Sequence, residues 1–171
     1  MSELFPDLGR FFSPRRVAFI GATEDRSKFG GRCVRLLIDF GFAGEIYPVN
    51  PKRSEIFGLK CYPSLADVPQ APDHVGIVLP DKAVPAAIED CVKKGVPFAT
   101  VFSAGFSETA TEAGKKLQSH VVEIARAGGL RFMGPNCNGM VNFVDAFALT
   151  STASIQGKRQ PSGDVAVVSQ S

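Results

Sequence analysis

The fold of this chain is decided by the stretch Val17-Ala18-Phe19-Ile20-Gly21-Ala22-Thr23. Its first four residues form a short, continuous apolar run, which is typical of a strand buried on both faces of a sheet. Gly21 closes the strand, and residues 28–42 follow with the spacing of an amphipathic helix. The stretch therefore predicts the first strand–turn–helix unit of an α/β protein.

The same alternation of strand and helix patterns continues along the chain. Further strands are predicted at residues 45–49, 74–79, 98–103 and 130–133. Helices are predicted at residues 81–94, with Asp81 as the cap and Gly95 as the stop, and at residues 109–127. The helix at residues 109–127 is predicted to face inward with Ala113, Leu117, Val121, Ile124 and Ala125. Strands alternating with helices predict a parallel sheet covered on both faces.

The composition excludes several classes of protein. The 171 residues are 44% hydrophobic and 21% charged, which is ordinary for a soluble globular domain. With 19 basic and 17 acidic residues, the chain carries no excess of charge that would predict nucleic acid or a membrane as a partner. Its four cysteines lie far apart without a CxxC pair, so we expect reduced thiols, a cytoplasmic location and no metal site.

The end of the chain reads as the start of another structural unit. Val165-Ala166-Val167-Val168 is predicted to be a buried strand, and Ser169-Gln170-Ser171 begins a turn. A strand at this point has no following helix to cover it. We therefore expect a first domain over residues 1–160, and residues 161–171 to begin a following, truncated domain of a longer protein.

Five predicted strand ends are expected to meet at one edge of the sheet. In open α/β sheets, ligands bind beyond the carboxyl ends of the strands. Each of these ends is rich in glycine, proline or small polar residues: Gly21-Ala22-Thr23, Asn50-Pro51-Lys52, Leu79-Pro80, Ser103-Ala104-Gly105 and Gly134-Pro135-Asn136.

The first two strand ends have features of a phosphate site. Backbone N–H groups at Gly21-Ala22-Thr23 can hold a phosphate, although a plain tight turn would look the same. The dinucleotide fingerprint GxGxxG is absent. Asn50 stands where an NAD site would have a carboxylate, and Lys52 and Arg53 follow it. These cations suit a phosphate on the ribose, so NADP and coenzyme A both remain possible ligands, as do plain solvated loop charges.

No residue has the surroundings of a catalytic group. Cys137 has no histidine near it in the sequence and no evident base. His74 opens a strand and His120 lies in a helix, where a lone histidine is usually structural or solvated. Glu108 and Glu112 read as charges of a first helical turn.

Several motifs, taken in order, match a known family. They are Phe12-Ser13-Pro14-Arg15-Arg16 leading into the first strand and turn, Tyr47-Pro48-Val49-Asn50-Pro51-Lys52, Ser103-Ala104-Gly105-Phe106-Ser107-Glu108, Met133-Gly134-Pro135-Asn136-Cys137, and Gly163-Asp164 leading into residues 165–171. Over nearly its whole length, the chain resembles the CoA-binding domain of the NDP-forming acyl-CoA synthetases. That family includes ADP-forming acetate–CoA ligases and is related to the alpha subunit of succinyl-CoA synthetase.

The resemblance implies a Rossmann-like, doubly wound α/β fold that binds coenzyme A. It implies that the phosphates and nucleotide lie at Gly21, Ala22, Thr23 and Lys28. It implies that the adenosine end lies at Asn50, Pro51 and Lys52. It implies that the pantetheine passes Leu79, Pro80, Ser103, Ala104 and Gly105. Asn136 and Cys137 would face the point where thiol, acyl group and phosphoryl group meet.

The resemblance also implies a role in a longer enzyme. In the family, acyl-CoA and phosphate give an acyl phosphate and free CoA, and a histidine of the following domain passes the phosphoryl group to ADP. Neither His74 nor His120 matches that histidine. We therefore expect that this part of the enzyme binds CoA as a substrate and does not turn over by itself. The remaining ligase domains or subunits would be its partners. The alternative is a domain that senses CoA or acyl-CoA within a protein lysine acetyltransferase. An NADP-binding redox domain is disfavoured because the GxGxxG turn is absent.

Overall fold

A computed structural model of the chain describes residues 8–152, 155 and 161–169. The strands, in chain order, are β1 Arg16–Ile20, β2 Glu45–Val49, β3 Glu55–Ile56, β4 Leu59–Lys60, β5 His74–Ile77, β6 Phe98–Val101, β7 Arg131–Met133, β8 Gly139–Asn142 and β9 Phe147–Thr150. The helices are α1 Gly9–Phe12, α2 Phe29–Asp39, α3 Val84–Lys93 and α4 Glu112–Ala127. No helix within these described ranges is long and apolar enough to cross a membrane.

Five of the strands form one parallel sheet in the order β2-β1-β5-β6-β7. After β2 the chain crosses back over β1 and continues on its other side, so the direction of winding reverses between β1 and β5. This order is one of the two common doubly wound arrangements. The predicted Rossmann-like α/β fold is confirmed.

Strand β1 is buried on both of its faces, as its apolar run predicts. Ala18 packs into a cluster that contains Ile88 of α3 and Val121 of α4. Val17 and Phe19 pack into a second cluster, on the face covered by α2. Successive side chains of a strand point to opposite faces, so a strand between two helical layers must be apolar at every position.

Two predicted details at helix ends are wrong. Asp81 begins a short 3-10 turn, and α3 starts only at Val84, with Ala83 and not Asp81 at its cap position. Ala113 was predicted to face inward, but it is exposed, and Gly114 is the buried residue of that turn. A Cβ on Gly114 would lie 2.1 Å from the carbonyl oxygen of Phe106, so only glycine permits this approach. Gly114 thus joins Leu117, Val121 and Ala125 on the inward face of α4.

Two antiparallel hairpins were not predicted. Strands β3 and β4 form one of them, and β8 and β9 form the other, which packs against α2. The predicted strand at residues 165–168 is wrong, because these residues form no strand and Val168 is 97% exposed. An apolar run becomes a strand only with a neighbouring strand and a covering layer, and the described part of the chain supplies neither here.

Candidate functional site

The winding reverses between β1 and β5, and the turn after β1 lies directly against the end of β5. Gly21 has φ +90°, and a Cβ on it would lie 1.9 Å from the carbonyl oxygen of Val78. Only glycine fits this close approach. The crevice at such a reversal is where open α/β sheets bind their ligands.

A cleft of about 530 Å³ opens between the turn after β1, the start of α2 and the loop after β2. It contains six of the predicted site residues, together with Arg53. Its lining consists of Gly21, Ala22, Thr23, Lys28, Phe29, Gly30, Asn50, Lys52, Arg53 and Val78. Three cationic side chains therefore converge on it from two loops. Lys28 also lies 3.8 Å from Asp25, but both groups are well exposed, so this pair holds Lys28 weakly.

Asn50 ties the ends of the first two strands together. Its Nδ2 donates a hydrogen bond to the carbonyl oxygen of Ala22 at 2.7 Å, and its Oδ1 accepts one from the N–H of Lys52 at 2.9 Å. A carboxylate could accept from Lys52 but could not donate to Ala22. The asparagine thus holds the shape of the cleft, which is a role that the sequence alone did not reveal.

A second cavity, of about 310 Å³, lies on the other side of the same strand ends. It shares Gly21 and Asn50 with the cationic cleft, and it also contains the predicted residues Pro51 and Leu79. The rest of its lining is largely apolar: Ile20, Val49, Pro63, Ser64, Leu65, Ala83, Ala86, Ala87 and Asp90. Sequence reasoning missed Pro63, Leu65 and Ala86, because small or apolar residues carry no signal that separates a pocket wall from the core.

Ser103 joins three of the predicted strand ends. Its Oγ accepts a hydrogen bond from the N–H of Leu79 at 3.1 Å, and its carbonyl oxygen accepts one from the N–H of Asn136 at 3.0 Å. Pro80 and Ala104 are exposed beside it. These strand ends thus lie at the same edge. Leu79 also lines the apolar cavity, whereas neither cavity lining includes the other predicted residues there, which are Pro80, Ser103, Ala104, Gly105, Asn136 and Cys137.

The loop after β6 holds the side-chain carboxylate of its own residue Glu108 with backbone N–H groups. Gly105 and Phe106 donate backbone hydrogen bonds to Glu108, the shortest of them 2.6 Å, from Gly105 N–H to Oε1. Partial loss of solvent opposes ionisation of Glu108, but these N–H donors outweigh it and hold the pKa of the carboxyl below its usual value. Glu108 lies in the first turn of the short 3-10 helix Ser107–Thr109, in line with the helical turn predicted from the sequence, and the structure adds that its carboxylate orders the loop.

Cys137 does not have the surroundings of a nucleophile. Its thiol is partly buried and donates to the carbonyl oxygen of Val101 at 3.5 Å. Burial raises the pKa of the Cys137 thiol, so the thiolate is disfavoured at neutral pH. His74 is fully buried at the opposite, amino end of β5, and His120 is exposed on α4. Among the described residues, no three His, Cys, Asp or Glu side chains come together as a metal site.

The site is therefore a cationic cleft and an apolar cavity that meet at a reversal of strand order. A family model described as a CoA binding domain matches residues 15–142. The chain belongs to this family of CoA-binding domains. The match runs from just before β1 to the end of β8, and so includes every predicted site residue.

Curated relatives of this domain are ligases. The chain is 43% identical to ADP-forming acetate–CoA ligase II of Archaeoglobus fulgidus, over 84% of this chain and 22% of that protein. It is 38% identical to the alpha subunit of ADP-forming acetate–CoA ligase II of Pyrococcus furiosus, over 96% of this chain and 34% of the subunit. The domain thus spans between about a fifth and a third of these relatives.

A solved structure shares the fold. The dinucleotide-forming acetyl-coenzyme A synthetase 1 of Ca. Korarchaeum cryptofilum, in complex with phosphate and ADP, superimposes with a TM-score of 0.81 at 39% identity. The match covers 85% of this CoA-binding domain and 31% of that chain.

Proposed function

We propose that this domain holds coenzyme A across the carboxyl edge of its sheet, as one part of an ADP-forming acyl-CoA synthetase. The observation that carries the proposal is the meeting of the cationic cleft and the apolar cavity at Gly21 and Asn50, within a chain of the CoA-binding family. CoA is an extended ligand with an anionic nucleotide and a largely uncharged arm. One polar and one apolar compartment on either side of a strand end suit such a molecule.

The charges favour a particular orientation of the nucleotide. The turn Gly21-Ala22-Thr23 and Lys28 would bind the diphosphate. Lys52, with Arg53 beside it, would bind the 3′-phosphate, and Asn50 and Pro51 would lie against the adenosine. These positions follow the three cationic side chains that line the cleft.

The arm of CoA would then pass from the apolar cavity, at Leu79, along the strand ends towards Cys137. Leu79 and Pro80 begin this path, and Ser103, Ala104 and Gly105 continue it. Asn136 and Cys137 would face the thiol end. The contribution of the domain is to place the thiol, which lowers the entropic cost of the reaction, and not to supply a covalent group.

The reaction itself belongs to the longer protein in this proposal. Acyl-CoA and phosphate would give an acyl phosphate and free CoA, with CoA as a substrate, and a histidine of another domain would pass the phosphoryl group to ADP. The remaining ligase domains or subunits are the expected partners, since two Pyrococcus furiosus relatives are alpha subunits. A following domain that begins at residue 161 and a cytoplasmic location stay predictions. The acetyltransferase alternative gains no support from the relatives described above.

The experiment that tests this function is calorimetric titration of the 171-residue chain with CoA, dephospho-CoA and NADP. We expect CoA to bind most tightly, because it alone offers both the 3′-phosphate and the arm. Tighter binding of NADP would point to a redox cofactor instead. The absence of binding by any of the three would contradict a CoA site formed by these residues on their own.

A further inference from the structure

The tip of the β3–β4 hairpin has an unusual residue. Ile56 pairs with Leu59, so Phe57 and Gly58 form the two-residue turn, with φ values of +52° and +79°. Turns with positive φ at both central positions normally use asparagine, aspartate or glycine. A bulky residue with positive φ is strained, and such strain is retained where the side chain has a specific task.

Phe57 reaches across to the loop that joins β1 to α2. Its N–H donates a hydrogen bond to Glu24 Oε1 at 3.1 Å. The Cζ atom of Arg26 lies 5.6 Å from the centre of its ring, and that of Arg35 lies 5.9 Å away, both within the range of cation–π attraction. Glu24 and Arg26 belong to the loop, and Arg35 to α2. We call these contacts of Phe57 with Glu24, Arg26 and Arg35 the hairpin latch.

The hairpin latch connects the two loops that line the cationic cleft. Lys52 and Arg53 directly precede β3, and Lys28 ends the loop that contains Glu24 and Arg26. At the base of the cleft, the bond from Asn50 to Ala22 already joins the two strand ends. The hairpin latch adds a second connection, at the outer side, where the cationic side chains lie.

We propose that Phe57 is a positioning residue that holds residues 24–28 against the β3–β4 hairpin and so sets the spacing between Lys28 and the pair Lys52–Arg53. This inference rests on the proposed function of the cleft as the phosphate site of CoA. A ligand with both a diphosphate and a 3′-phosphate must meet both groups of cations at once. A ligand without the 3′-phosphate meets only one group, so its affinity depends less on the spacing.

The variant Phe57→Asn tests this role without harming the turn. Asparagine adopts positive φ readily, so the turn conformation is kept, while the ring is lost together with its packing against the core cluster that contains Phe19 and Ile56. We expect a folded chain with a lower thermal midpoint, because the ring no longer packs on the core, and a CoA affinity lower by about fivefold, as the loss of two cation–π contacts would give. The loss for dephospho-CoA should be clearly smaller. Phe57→Tyr keeps the ring and should retain both affinities.

The outcomes separate this inference from the proposed function. If the wild-type chain binds CoA and Phe57→Asn binds CoA and dephospho-CoA as the wild type does, the positioning role is overturned and the function stands. If the wild-type chain does not bind CoA, the proposed function and the ligand-spacing role fall together. Amide hydrogen exchange without ligand then decides whether the hairpin latch itself exists. If the hairpin latch exists, the amides of Ser27 and Lys28 exchange faster in Phe57→Asn than in the wild type. Unchanged exchange at these two amides overturns the hairpin latch.

Discussion

Single residues shape the proposed phosphate site, and Asn50 shows how. The sequence shows only that a carboxylate is missing after the second strand. The structure shows that the amide donates to Ala22 and accepts from Lys52, so it shapes the loop that presents Lys52 and Arg53. In the proposed function, recognition of a phosphorylated ribose would depend on two features together, a neutral side chain that fixes the loop and cations that follow it.

Lys52 should contribute to the affinity for the 3′-phosphate in particular. We expect Lys52→Ala to weaken CoA binding by roughly 1–3 kcal/mol, the usual range for a charge-assisted hydrogen bond, with little change for dephospho-CoA. Calorimetric titration of both ligands measures the difference. Lys60→Ala is a matched control, because Lys60 is an exposed cation that lies over Tyr62 and outside the cleft. Equal losses for both ligands would reject Lys52 as the partner of the 3′-phosphate.

His74 is a structural residue whose protonation opposes folding. Its Nδ1 lies 3.1 Å from the carbonyl oxygen of Phe11, which can only accept, so Nδ1 carries the proton. Its Nε2 then accepts from the hydroxyl of Thr100 at 2.8 Å. Complete burial lowers the pKa of His74 to about 4. The hydrogen bond to Phe11 acts in the opposite direction and raises the pKa, but its effect is smaller. The folded chain therefore holds a neutral His74 at neutral pH.

Because of His74, the free energy of unfolding should decrease as the pH is lowered. Between its ordinary pKa and about 4, the unfolded chain takes up a proton that the folded chain does not, so stability is complete above that window and lost as the pH falls through it. We expect His74 to account for a loss of about 2 kcal/mol in the free energy of unfolding between about pH 7.5 and about pH 5. Urea denaturation at both values measures it. In His74→Gln this part of the pH dependence should vanish, and an unchanged profile would contradict the assignment.

At the scale of elements, α4 shows where local chemistry sets a boundary. Thr111 is its N-cap, and Thr111 Oγ1 accepts a hydrogen bond from the N–H of Gly114 at 3.1 Å. We expect Thr111→Ala to lower the free energy of unfolding by about 1 kcal/mol, because a free N–H remains at the helix start. Thr111→Ser keeps the acceptor oxygen and should lose much less. Urea denaturation of the three proteins decides, and equal stabilities of the alanine and serine variants would exclude a capping role.

The sequence predicts the helices and the central strands well, but it predicts less well which residues a helix buries and where short hairpins form. Periodicity located α4, but it placed Ala113 inward because a glycine adds nothing to an apolar pattern. Gly114 is nevertheless the residue that meets Phe106. The hairpin of β3 and β4 escaped prediction because each strand has only two residues and its turn contains a phenylalanine in place of the usual turn residues.

For the whole molecule, the order of the strands creates the site. Alternating patterns predict a parallel sheet and a ligand edge, and the structure brings all five predicted strand ends to that edge. No local pattern, however, says that the chain crosses back over β1 after β2, and this crossing is what places Gly21 against Val78. The cationic half of the site was therefore predictable from charges, whereas most of the wall of the apolar cavity required the fold.

The measurement that tests the central claim most directly is a map of amide chemical-shift changes in the isotope-labelled chain as CoA is added. The account predicts the largest changes at residues 21–23, 50, 52–53, 79 and 103–105, all at the carboxyl edge of the sheet and all with a backbone N–H. The separate cavity of about 420 Å³ beside the outer edge of β2, lined in part by Ile38, Leu59 and Lys60, should show none. Changes centred on that cavity, or around His74 at the amino end of the sheet, would contradict the account.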